Sequence, residues 1–500
     1  MIAETAYLFR HALLRDAAYQ LQLPGDRARL HGIALRAIEA LCGGRPAAGT
    51  DTPEFEIHPI DPFAEELADH ARRSPGDAES AELLVLYLGR AAEHAGRNFR
   101  NEASVRLWLQ HAELNAGVEK AESLRRAAAS HVRAGQTAKC QPILRRALPL
   151  ARKSGNRRLE GAILDELGNA LRASGDVRNA QATLEQSLAI HRQIDNPRQI
   201  GISLGHLSTL YKEIGRVELS ERTMHEALVI CDRIGDGSLK GIFLSVLANL
   251  QFETGRTELA ERTYLDSLAA LRQAGNRRSE GVALGNLANL YQLTDRTAQA
   301  MEGYERALAI HRDVGNRRSE GVLLGNLSNL YADIGRLDLS GDFGEQAIAL
   351  HREVGNRRSE GVALENLASL FQSLGRLEEA EATYARALAI HREVGNRRTE
   401  GVTLGNMALL YQLTGRIQQA ESSFRAALAI LHDLGYARFE GSHGCNFAIL
   451  LVEAGKPGPA KDEWLRAAAL LRRIGELKSL EEKTVAMRRA CARAGVPPLE

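Results

Sequence analysis

Carboxamide side chains recur with a 40-residue period in the second half of the chain, and they have a clear capacity to bind another molecule. One set shares a single phase of this period: Asn286, Asn326, Asn366, Asn406 and Asn446. A second set lies three or six residues further on: Asn249, Asn289, Asn329, Gln292, Gln372 and Gln412. A carboxamide both donates and accepts hydrogen bonds, so a row of them can hold the backbone of an extended peptide whatever its side chains. The candidate peptide-binding residues are therefore Asn286, Asn289, Gln292, Asn326, Asn329, Asn366, Gln372, Asn406 and Gln412.

The same amides have a second interpretation, in which they bond one another or the next helix. Gly285, Gly325 and Gly405 lie beside them. A glycine inside a helix costs about 1 kcal/mol relative to alanine. That cost indicates a close approach of the backbone to something, either a neighbouring helix or a ligand. Both interpretations of the amides remain open at this point.

Paired arginines open successive helical segments at the same period: Arg277-Arg278, Arg317-Arg318, Arg357-Arg358 and Arg397-Arg398. Positive charge at a helix N-terminus opposes the helix dipole, so the arginines need partners. The candidates are Glu280, Glu320, Glu360 and Glu400, with Asp313, Glu353 and Glu393 on the preceding helix end. The favoured interpretation is a solvated ladder of ion pairs, each contributing little to stability. The alternative is an edge that attracts an acidic partner segment.

No residue set predicts catalysis, a cofactor or a metal site. His191, His311, His351 and His391 recur near helix C-termini, where the helix dipole favours histidine and no metal is needed to explain them. No Ser/His/Asp, Cys/His or paired-carboxylate arrangement stands out from the repeats. The sequence therefore predicts a protein that is not an enzyme.

These residues belong to helical elements set out by the 40-residue period. Eight glycines share one phase of it: Gly161, Gly201, Gly241, Gly281, Gly321, Gly361, Gly401 and Gly441. Within one period, Leu364, Leu367 and Leu370 mark the apolar face of a helix, and Tyr384 lies on the face of a second helix. Gly395 can end that second helix, with Asn396 capping the next one. Each period is thus an antiparallel helix pair, and stacking of the pairs supplies the core.

The pattern of small and apolar residues resembles that of the tetratricopeptide repeat family. The positions that match are Leu364, Leu367, Ala368, Phe371, Ala380, Tyr384 and Ala387. Leu364 fits this pattern because it is apolar, but Trp is the usual residue of the family at that position. Arg392 departs from the family, which usually has Pro there. The 40-residue unit is similar to those of the Pins/LGN adaptors and of kinesin light chain. This resemblance implies an all-α, right-handed superhelical solenoid of antiparallel helix pairs. It also implies that the first helices line a concave side that binds protein segments.

An N-terminal stretch from Tyr7 to Tyr19, followed by Arg29 to Ala34, resembles another family. It is similar to the end of the ATPase module in STAND-type signalling proteins, just before their helical repeats. The chain contains no Gly-x-x-x-x-Gly-Lys-Ser/Thr phosphate loop. The segment is then either the junction of a sensor arm or an ordinary N-terminal helical cap.

The composition excludes several classes of protein. Hydrophobic residues make up 44% and charged residues 25% of the chain, as in ordinary soluble domains. A net charge of +1 gives no general attraction to nucleic acids or membrane surfaces. The five cysteines are scattered, which argues against zinc or disulfides and for a cytoplasmic protein. No apolar run approaches the length of about 18 residues that a membrane-spanning helix needs.

The predicted domains are an N-terminal helical segment (1–41), a flexible Gly/Pro-rich linker (42–62), degenerate helical repeats (63–155), eight 40-residue repeats (156–475) and a C-terminal capping helix (476–500). We expect a local packing deficit at Gly344, because other repeats have Tyr304, Tyr384 or Phe424 there. The predicted function is a non-enzymatic scaffold that binds a protein or peptide partner in the concave groove. The alternative is the sensor arm of a STAND ATPase or adenylate cyclase type system. The sequence does not indicate the oligomeric state.

Overall fold

Helices account for all the regular structure in the part of the chain that the structure describes. The computed structural model describes residues 22–46, 55–134 and 136–499. These residues form 23 α-helices and two short 3₁₀ turns, with no strand. The predicted all-α fold is confirmed.

Contacts divide the chain into two compact units. Of the described residues, the first unit contains 22–46, 55–134 and 139–167, and the second contains 136–138 and 168–499. The helices before the regular repeats are α1 (Pro24–Leu41), α2 (Ala64–Arg73), α3 (Ala78–Arg97), α4 (Asn101–Leu114), α5 (Gly117–Arg133) and α6 (Cys140–Lys153). The 3₁₀ turns span Asp61–Phe63 and Thr137–Lys139.

Eight helix pairs follow with the period found in the sequence, and the boundary between the two units falls within the first helix of the first pair. The pairs are α7 (Arg157–Ala173) with α8 (Val177–Gln193), α9 (Pro197–Glu213) with α10 (Val217–Ile234), α11 (Gly237–Glu253) with α12 (Thr257–Gln273), α13 (Arg277–Leu293) with α14 (Thr297–Asp313), α15 (Arg317–Asp333) with α16 (Leu337–Glu353), α17 (Arg357–Ser373) with α18 (Leu377–Glu393), α19 (Arg397–Leu413) with α20 (Ile417–Asp433), and α21 (Ala437–Glu453) with α22 (Pro457–Arg473). A last helix, α23, spans Leu477–Ala494.

The helix ends explain this regular length. A residue with positive φ, usually glycine, occurs twice in each period, once after each helix of a pair, as Gly335 (φ 76°) and Gly355 (φ 64°) illustrate. Asp195 and Asp295 take the same conformation where glycine is missing, with φ of 46° and 58°. Asn276, Asn316 and Asn356 cap the following helices by accepting a hydrogen bond from a backbone N–H. Asn396 makes no such bond, although its position predicted one.

Packing within a pair follows the predicted apolar faces. Ala380 and Ala387 are fully buried, which lets α17 and α18 approach closely, and Tyr384 is 1% exposed. At the C-terminal end, Met487 and Cys491 of α23 join a buried cluster that includes Trp464. The helix thereby covers the apolar face that the last pair would otherwise expose, as the end of a repeat array requires.

Successive first helices contact one another directly from α11 through α21. The second helices of successive pairs have few or no such contacts among the described residues. Because the first helices lie closer together, the second unit curves with its first helices on the inner side.

Two sequence predictions concern residues outside the described part: the Tyr7–Tyr19 segment and the middle of the linker at 47–54. The end of the linker is packed against α3. Asp61 is 4% exposed and accepts a hydrogen bond from Arg90 at 2.7 Å. The guanidiniums of Arg90 and Arg97 stack on the ring of Phe55, 4.6 and 4.8 Å from its centroid.

Candidate functional site

The first helices present a repeated set of side chains to solvent on one side, which we call the first-helix face. In α13 it consists of Arg278, Val282, Asn286 and Asn289, and the other first helices carry the equivalent positions. Spacings of three and four residues place these side chains on one line along the helix. Val282 and Val322 are each 44% exposed and Val362 is 39% exposed. The face therefore combines a basic, an apolar and an amide row.

Most of the predicted amides bond between consecutive pairs. Asn326 donates to the Oδ1 of Asn289 at 3.2 Å, and Asn406 donates to the Oε1 of Glu365 at 3.0 Å. Asn286 donates to the Oγ of Ser245 at 3.4 Å. Bonding between repeats, one of the two interpretations open from the sequence, is what these side chains do in this structure.

The glutamines at the ends of the first helices have similar roles. Gln292 donates to Asp333 at 2.6 Å, and Gln412 donates to Glu453 at 2.7 Å, each in the next first helix. Gln372 accepts from the hydroxyl of Tyr384 within its own pair at 3.4 Å. These bonds fix the amide side chains and rigidify the face.

Two amides differ from the rest, because Asn329 and Asn366 have no side-chain hydrogen bond to a described residue. In other helix pairs, the asparagine equivalent to Asn329 accepts a hydrogen bond from a buried tyrosine. The hydroxyl of Tyr304 donates to Asn289 at 2.5 Å, and that of Tyr264 donates to Asn249 at 2.5 Å. The corresponding residue of α16 is Gly344, so no hydroxyl reaches Asn329. The glycine that predicted a packing deficit thus also leaves an amide without its partner.

Two of the glycines beside the amide row leave room for a large side chain of the next first helix. A Cβ at Gly285 would lie 2.9 Å from Leu323, and one at Gly205 would lie 2.7 Å from Phe243. Nothing lies within 4 Å of a Cβ placed at Gly325, and the residue of α17 equivalent to Leu323 is the smaller Ala363.

We call Gly325, Asn329 and Asn366 the amide gap. Asn366 and Asn329 occupy the repeat positions of the bonded Asn326 and Asn289, on the successive first helices α17 and α15, which contact each other. The sequence alone contained this signal in the coincidence of Gly325, Ala363 and Gly344, but it could be recognised only once the facing positions were known.

In each Arg-Arg sequence at the start of a first helix, the first arginine forms an ion pair with a buried glutamate. Glu360 is 1% exposed and accepts from Arg352 at 3.0 Å and from Arg357 at 2.5 Å. The equivalent carboxylates are Glu160, Glu280, Glu320 and Glu400. Burial opposes ionisation, but hydrogen bonds from two arginines lower the pKa of Glu280.

The glutamates predicted as partners of the arginines are confirmed. The predicted solvated ladder of ion pairs is wrong, because the glutamate carboxylates are buried. Each carboxylate also bonds an arginine at the end of the preceding helix and so links its helix pair to the one before. A further difference concerns Glu353 and Glu393. They bond Arg317 and Arg357 of their own pairs, at 3.0 and 2.7 Å, instead of the arginines that follow them.

The second arginines have a different environment, and we call Arg278, Arg318, Arg358 and Arg398 the arginine row. Arg278, Arg358 and Arg398 are exposed and have no carboxylate within 4 Å among the described residues. Burial, with the guanidiniums of Arg278 and Arg358, lowers the pKa of Arg318. Partial desolvation by the surrounding helices, together with the charge of Arg398, likewise lowers the pKa of Arg358, although its side chain is exposed. The arginines thus lie within electrostatic reach of one another.

The histidines at the helix ends are packing residues. His311 and His351 are 0% and 2% exposed, and their Cε1 atoms lie 2.7 Å from Cβ positions at Gly281 and Gly321. Burial lowers the pKa of His311 and of His351 to about 4. The explanation from the helix dipole is therefore wrong, because it requires a charged imidazole and these are neutral at pH 7. In the described part of the chain, no cluster of three or more His, Cys, Asp or Glu could hold a metal ion.

Two pockets lie at equivalent positions two repeats apart, beside the second helices. One, of about 220 Å³, is lined by residues including Leu265, Leu284 and Gly303. The other, of about 380 Å³, is lined by Ile348, Leu364 and Thr383 among others. In the intervening pair, Phe343 stacks on Tyr331 with centroids 5.2 Å apart, where the other pairs have the smaller Gly303 and Thr383. The sequence did not indicate these pockets, because the binding residues it predicted lie on the first helices only.

None of the helices in the described residues is long and apolar enough to span a membrane.

The sequence model of the tetratricopeptide repeat family matches residues 119–193, 279–353 and 359–432 of the chain. The predicted tetratricopeptide repeats are thereby confirmed in these residues. No curated protein matches the chain.

Several solved structures are similar to parts of the chain. The Rap protein complexed with competence and sporulation factor is 12% identical, with a TM-score of 0.49 over 74% of this chain and 98% of that chain. The Pyrococcus horikoshii STAND protein with a tetratricopeptide repeat sensor is 15% identical, with a TM-score of 0.46 over 93% of this chain and 72% of that chain. A putative kinesin light chain from Podosopora anserina is 18% identical, with a TM-score of 0.33 over 40% of this chain and 98% of that chain. At these identities and TM-scores the likeness does not extend to function.

Proposed function

We propose that this chain, whose helix pairs are tetratricopeptide repeats, binds an extended segment of another protein on the first-helix face and catalyses no reaction. The observation that carries the proposal is the amide gap. Asn329 and Asn366 are two amides without a side-chain partner in a row where the other amides are bonded. They flank Gly325, where the backbone of the helix is open.

The chemistry of the gap suits a peptide main chain. An extended segment presents N–H and C=O groups alternately, and each asparagine can accept from one and donate to the other. The missing Cβ at Gly325 lets that main chain lie close to α15. Two such side chains on contacting helices would grip the backbone regardless of the partner's sequence.

The surroundings of the gap keep the binding cost low. Asn326 and Asn406 are held by bonds between pairs, so the scaffold on either side is already ordered. Little of the protein must then lose conformational freedom when the partner binds. The exposed Val322 and Val362 add apolar contact next to the polar grip.

The proposal can be tested by panning a phage-displayed library of random 12-residue peptides on the full chain. We expect selected peptides that bind the wild type and bind an N329A/N366A variant at least tenfold more weakly. The helical circular dichroism and melting temperature of the variant should be unchanged, because neither side chain bonds a described residue. Fluorescence anisotropy with labelled selected peptides gives the affinities.

A matched control removes two other asparagines of the same row. The N326A/N406A variant loses bonds between pairs, so we expect a lower melting temperature and a smaller loss of affinity than in N329A/N366A. Equal affinities for wild type and N329A/N366A would refute the proposed grip. A library from which no peptide is enriched would refute the function itself.

A second proposal is that the chain is the sensor arm of a STAND ATPase or adenylate cyclase type system. It is supported by the sequence of the Phe9-Arg10-His11 segment, which lies outside the described residues. Co-purification of the chain with a nucleotide-binding protein encoded beside its gene would support it. If no such gene is present and no ATPase co-purifies, this proposal loses its basis.

A further inference from the structure

We propose that the two pockets beside the second helices bind two aromatic side chains carried by one segment of another protein. The smaller pocket includes Tyr291 and is called the Tyr291 pocket, and the larger one includes Phe371 and is called the Phe371 pocket. Both lie within the second unit of the chain. No residue of the amide gap lines either pocket, so this proposal does not depend on a segment bound on the first-helix face.

The helix pair between the two pockets shows which side chain fits them. At the equivalent place, the ring of Phe343 stacks on that of Tyr331, with centroids 5.2 Å apart and an angle of 12° between the ring planes. Tyr291 and Phe371 are the residues equivalent to Tyr331, so each pocket keeps the aromatic ring on which Phe343 stacks. A ring supplied by a partner can therefore stack in both pockets as Phe343 does between them.

The pockets are open because a small residue takes the place of Phe343. That residue is Gly303 in the Tyr291 pocket and Thr383 in the Phe371 pocket. Leu284 and Leu364, which are 5% and 1% exposed, are among the apolar residues that line the two cavities. Water is held poorly by such a surface because it needs polar partners, whereas an aromatic ring gains both burial and stacking.

The charges around the pockets favour an uncharged side chain. In the Tyr291 pocket, Glu302 pairs with Arg306 at 3.3 Å, and Arg272 pairs with the buried Glu280 at 2.7 Å. The charged residues that line the Phe371 pocket are two glutamates and two arginines: Glu345, Glu379, Arg352 and Arg386. The opposite charges balance in each pocket, so neither an anion nor a cation is preferred.

The openness of the pockets favours a side chain over a free aromatic compound. Leu265 lines the Tyr291 pocket and is 51% exposed, and Arg306 and Arg386 are exposed at the two rims. A site for a free small molecule encloses most of the surface of its ligand. These pockets can enclose one ring and leave the group that carries it in solvent. This suits a ring attached to a polypeptide main chain.

The separation of the pockets determines the spacing of the two side chains. Because packed helices lie about 8–10 Å apart, two successive repeats separate the pockets by roughly 20 Å. An extended segment advances by about 3.3 Å per residue. Aromatic side chains six or more residues apart on one extended segment can therefore reach both pockets, with the segment passing over the filled position of Phe343.

Two 12-residue peptides of identical composition test this spacing. Each contains two phenylalanines among glycine and serine residues, eight positions apart in the wide peptide and two positions apart in the narrow peptide. Methyl NMR signals of Leu265 and Ile348, which line the two pockets, report binding to the full chain. We expect both signals to shift and the wide peptide to bind at least threefold more tightly, because it alone reaches both pockets at once.

A third peptide tests the preference for a ring. It has the wide spacing with leucine in place of both phenylalanines, and we expect it to bind at least fivefold more weakly than the wide peptide. Equal affinities of the wide and narrow peptides would refute a single segment that bridges the pockets. Equal affinity of the leucine peptide would refute the aromatic preference, and unshifted signals with all three peptides would refute the site itself.

The variant T383F tests the Phe371 pocket by filling it as Phe343 fills the position between the pockets. We expect the wide peptide to leave the Ile348 signal unshifted in T383F and to bind it no more tightly than the narrow peptide does. The matched control is T383A, which leaves the pocket open and should keep the affinity within twofold of the wild type. Equal affinities of T383F and T383A for the wide peptide would contradict the proposal.

The variant F343T makes the opposite change, because it removes the ring that fills the intermediate position. Both phenylalanine peptides should then shift the methyl signal of Leu308, the residue equivalent to Ile348. An unfolded protein would not gain such a site, so this result does not depend on how well T383F folds. An unshifted Leu308 signal would show that Phe343 does not mark a site for an external ring.

The N329A/N366A variant separates this proposal from the proposed function. It should bind the wide peptide as the wild type does, because the pockets do not contain either asparagine. Loss of the wide peptide in N329A/N366A, with no loss in T383F, would place that peptide on the first-helix face and overturn the proposal. Failure of the wide peptide to bind any variant would leave the amide gap and its own test unaffected and refute only the pockets.

Discussion

At the scale of single residues, the buried histidines show that one repeat position accepts either an imidazole or a leucine. His311 and His351 pack on Gly281 and Gly321, and Leu431 packs in the same way on Gly401. The sequence predicted where these histidines lie along their helices. It could not predict their burial, because that depends on which glycine of the first helix faces them.

This burial predicts how stability depends on pH. The folded-state pKa of His311 and of His351 is about 4, below the value of about 6.5 in an unfolded chain. The unfolded state therefore takes up protons first, and stability falls as pH drops from 6.5 towards 4. The expected loss is on the order of 2 kcal/mol per histidine at pH 4.5. Urea unfolding at pH 7.5, 6.0, 5.0 and 4.5 measures it.

The H311L/H351L variant is the matched control, because leucine occupies the equivalent position at Leu431. It should remain as stable as the wild type at pH 7.5 and lose less stability between pH 6.5 and 4.5. A pH dependence as steep as that of the wild type would show that these two histidines are not responsible.

At the scale of the helix pair, the buried glutamates join each pair to the one before it. Glu360 of α17 accepts from Arg352 at the end of α16 as well as from Arg357. The sequence predicted these partners from their phase in the repeat. Their burial was not predictable from spacing, since it depends on how closely α16 and α17 pack.

Replacing Glu360 by glutamine should lower the free energy of unfolding by about 2 kcal/mol, because both arginines lose a buried, charge-assisted acceptor. Chemical denaturation measures the change. The control is E305Q, which alters an exposed glutamate on the second helix α14 and should change stability by less than about 0.5 kcal/mol. Equal changes in the free energy of unfolding in the two variants would mean that the buried ion pairs of Glu360 stabilise the fold no more than an exposed charge does.

Gly344 links packing to binding within one pair. A Cβ there would lie 3.2 Å from the Oγ of Ser328, where the pairs with a tyrosine have Ala288 or Ala368. Replacing Gly344 by tyrosine together with S328A should therefore raise the melting temperature, whereas G344Y alone should raise it less. The new hydroxyl should bond Asn329 and weaken binding of the selected peptides.

Calorimetry and peptide titration of the same samples measure both effects. A lower melting temperature of the double variant would show that the site has no room for the ring. Unchanged peptide affinity despite a higher melting temperature would show that the amide of Asn329 does not take part in binding.

At the scale of the whole molecule, the period of the sequence determined the prediction of an all-α array, and the helix pairs from Arg157 to Arg473 follow it. The candidate site was only partly predictable. Repetition identified the amide row, but the amide gap arises where the repetition fails, at Gly325, Ala363 and Gly344. Those three positions lie on three different helices, so only their packing relates them.

The face that holds the partner can be identified by photo-crosslinking a selected peptide from the library. A benzophenone maleimide is attached to V322C on the first-helix face or to L265C beside a second-helix pocket, each in a C42S background. The parent residues are comparably exposed, at 44% and 51%, and the other four cysteines are buried. The account predicts efficient transfer to the peptide from position 322 and little from position 265. Transfer from position 265 with none from position 322 would place the partner on the second-helix side and contradict the central claim.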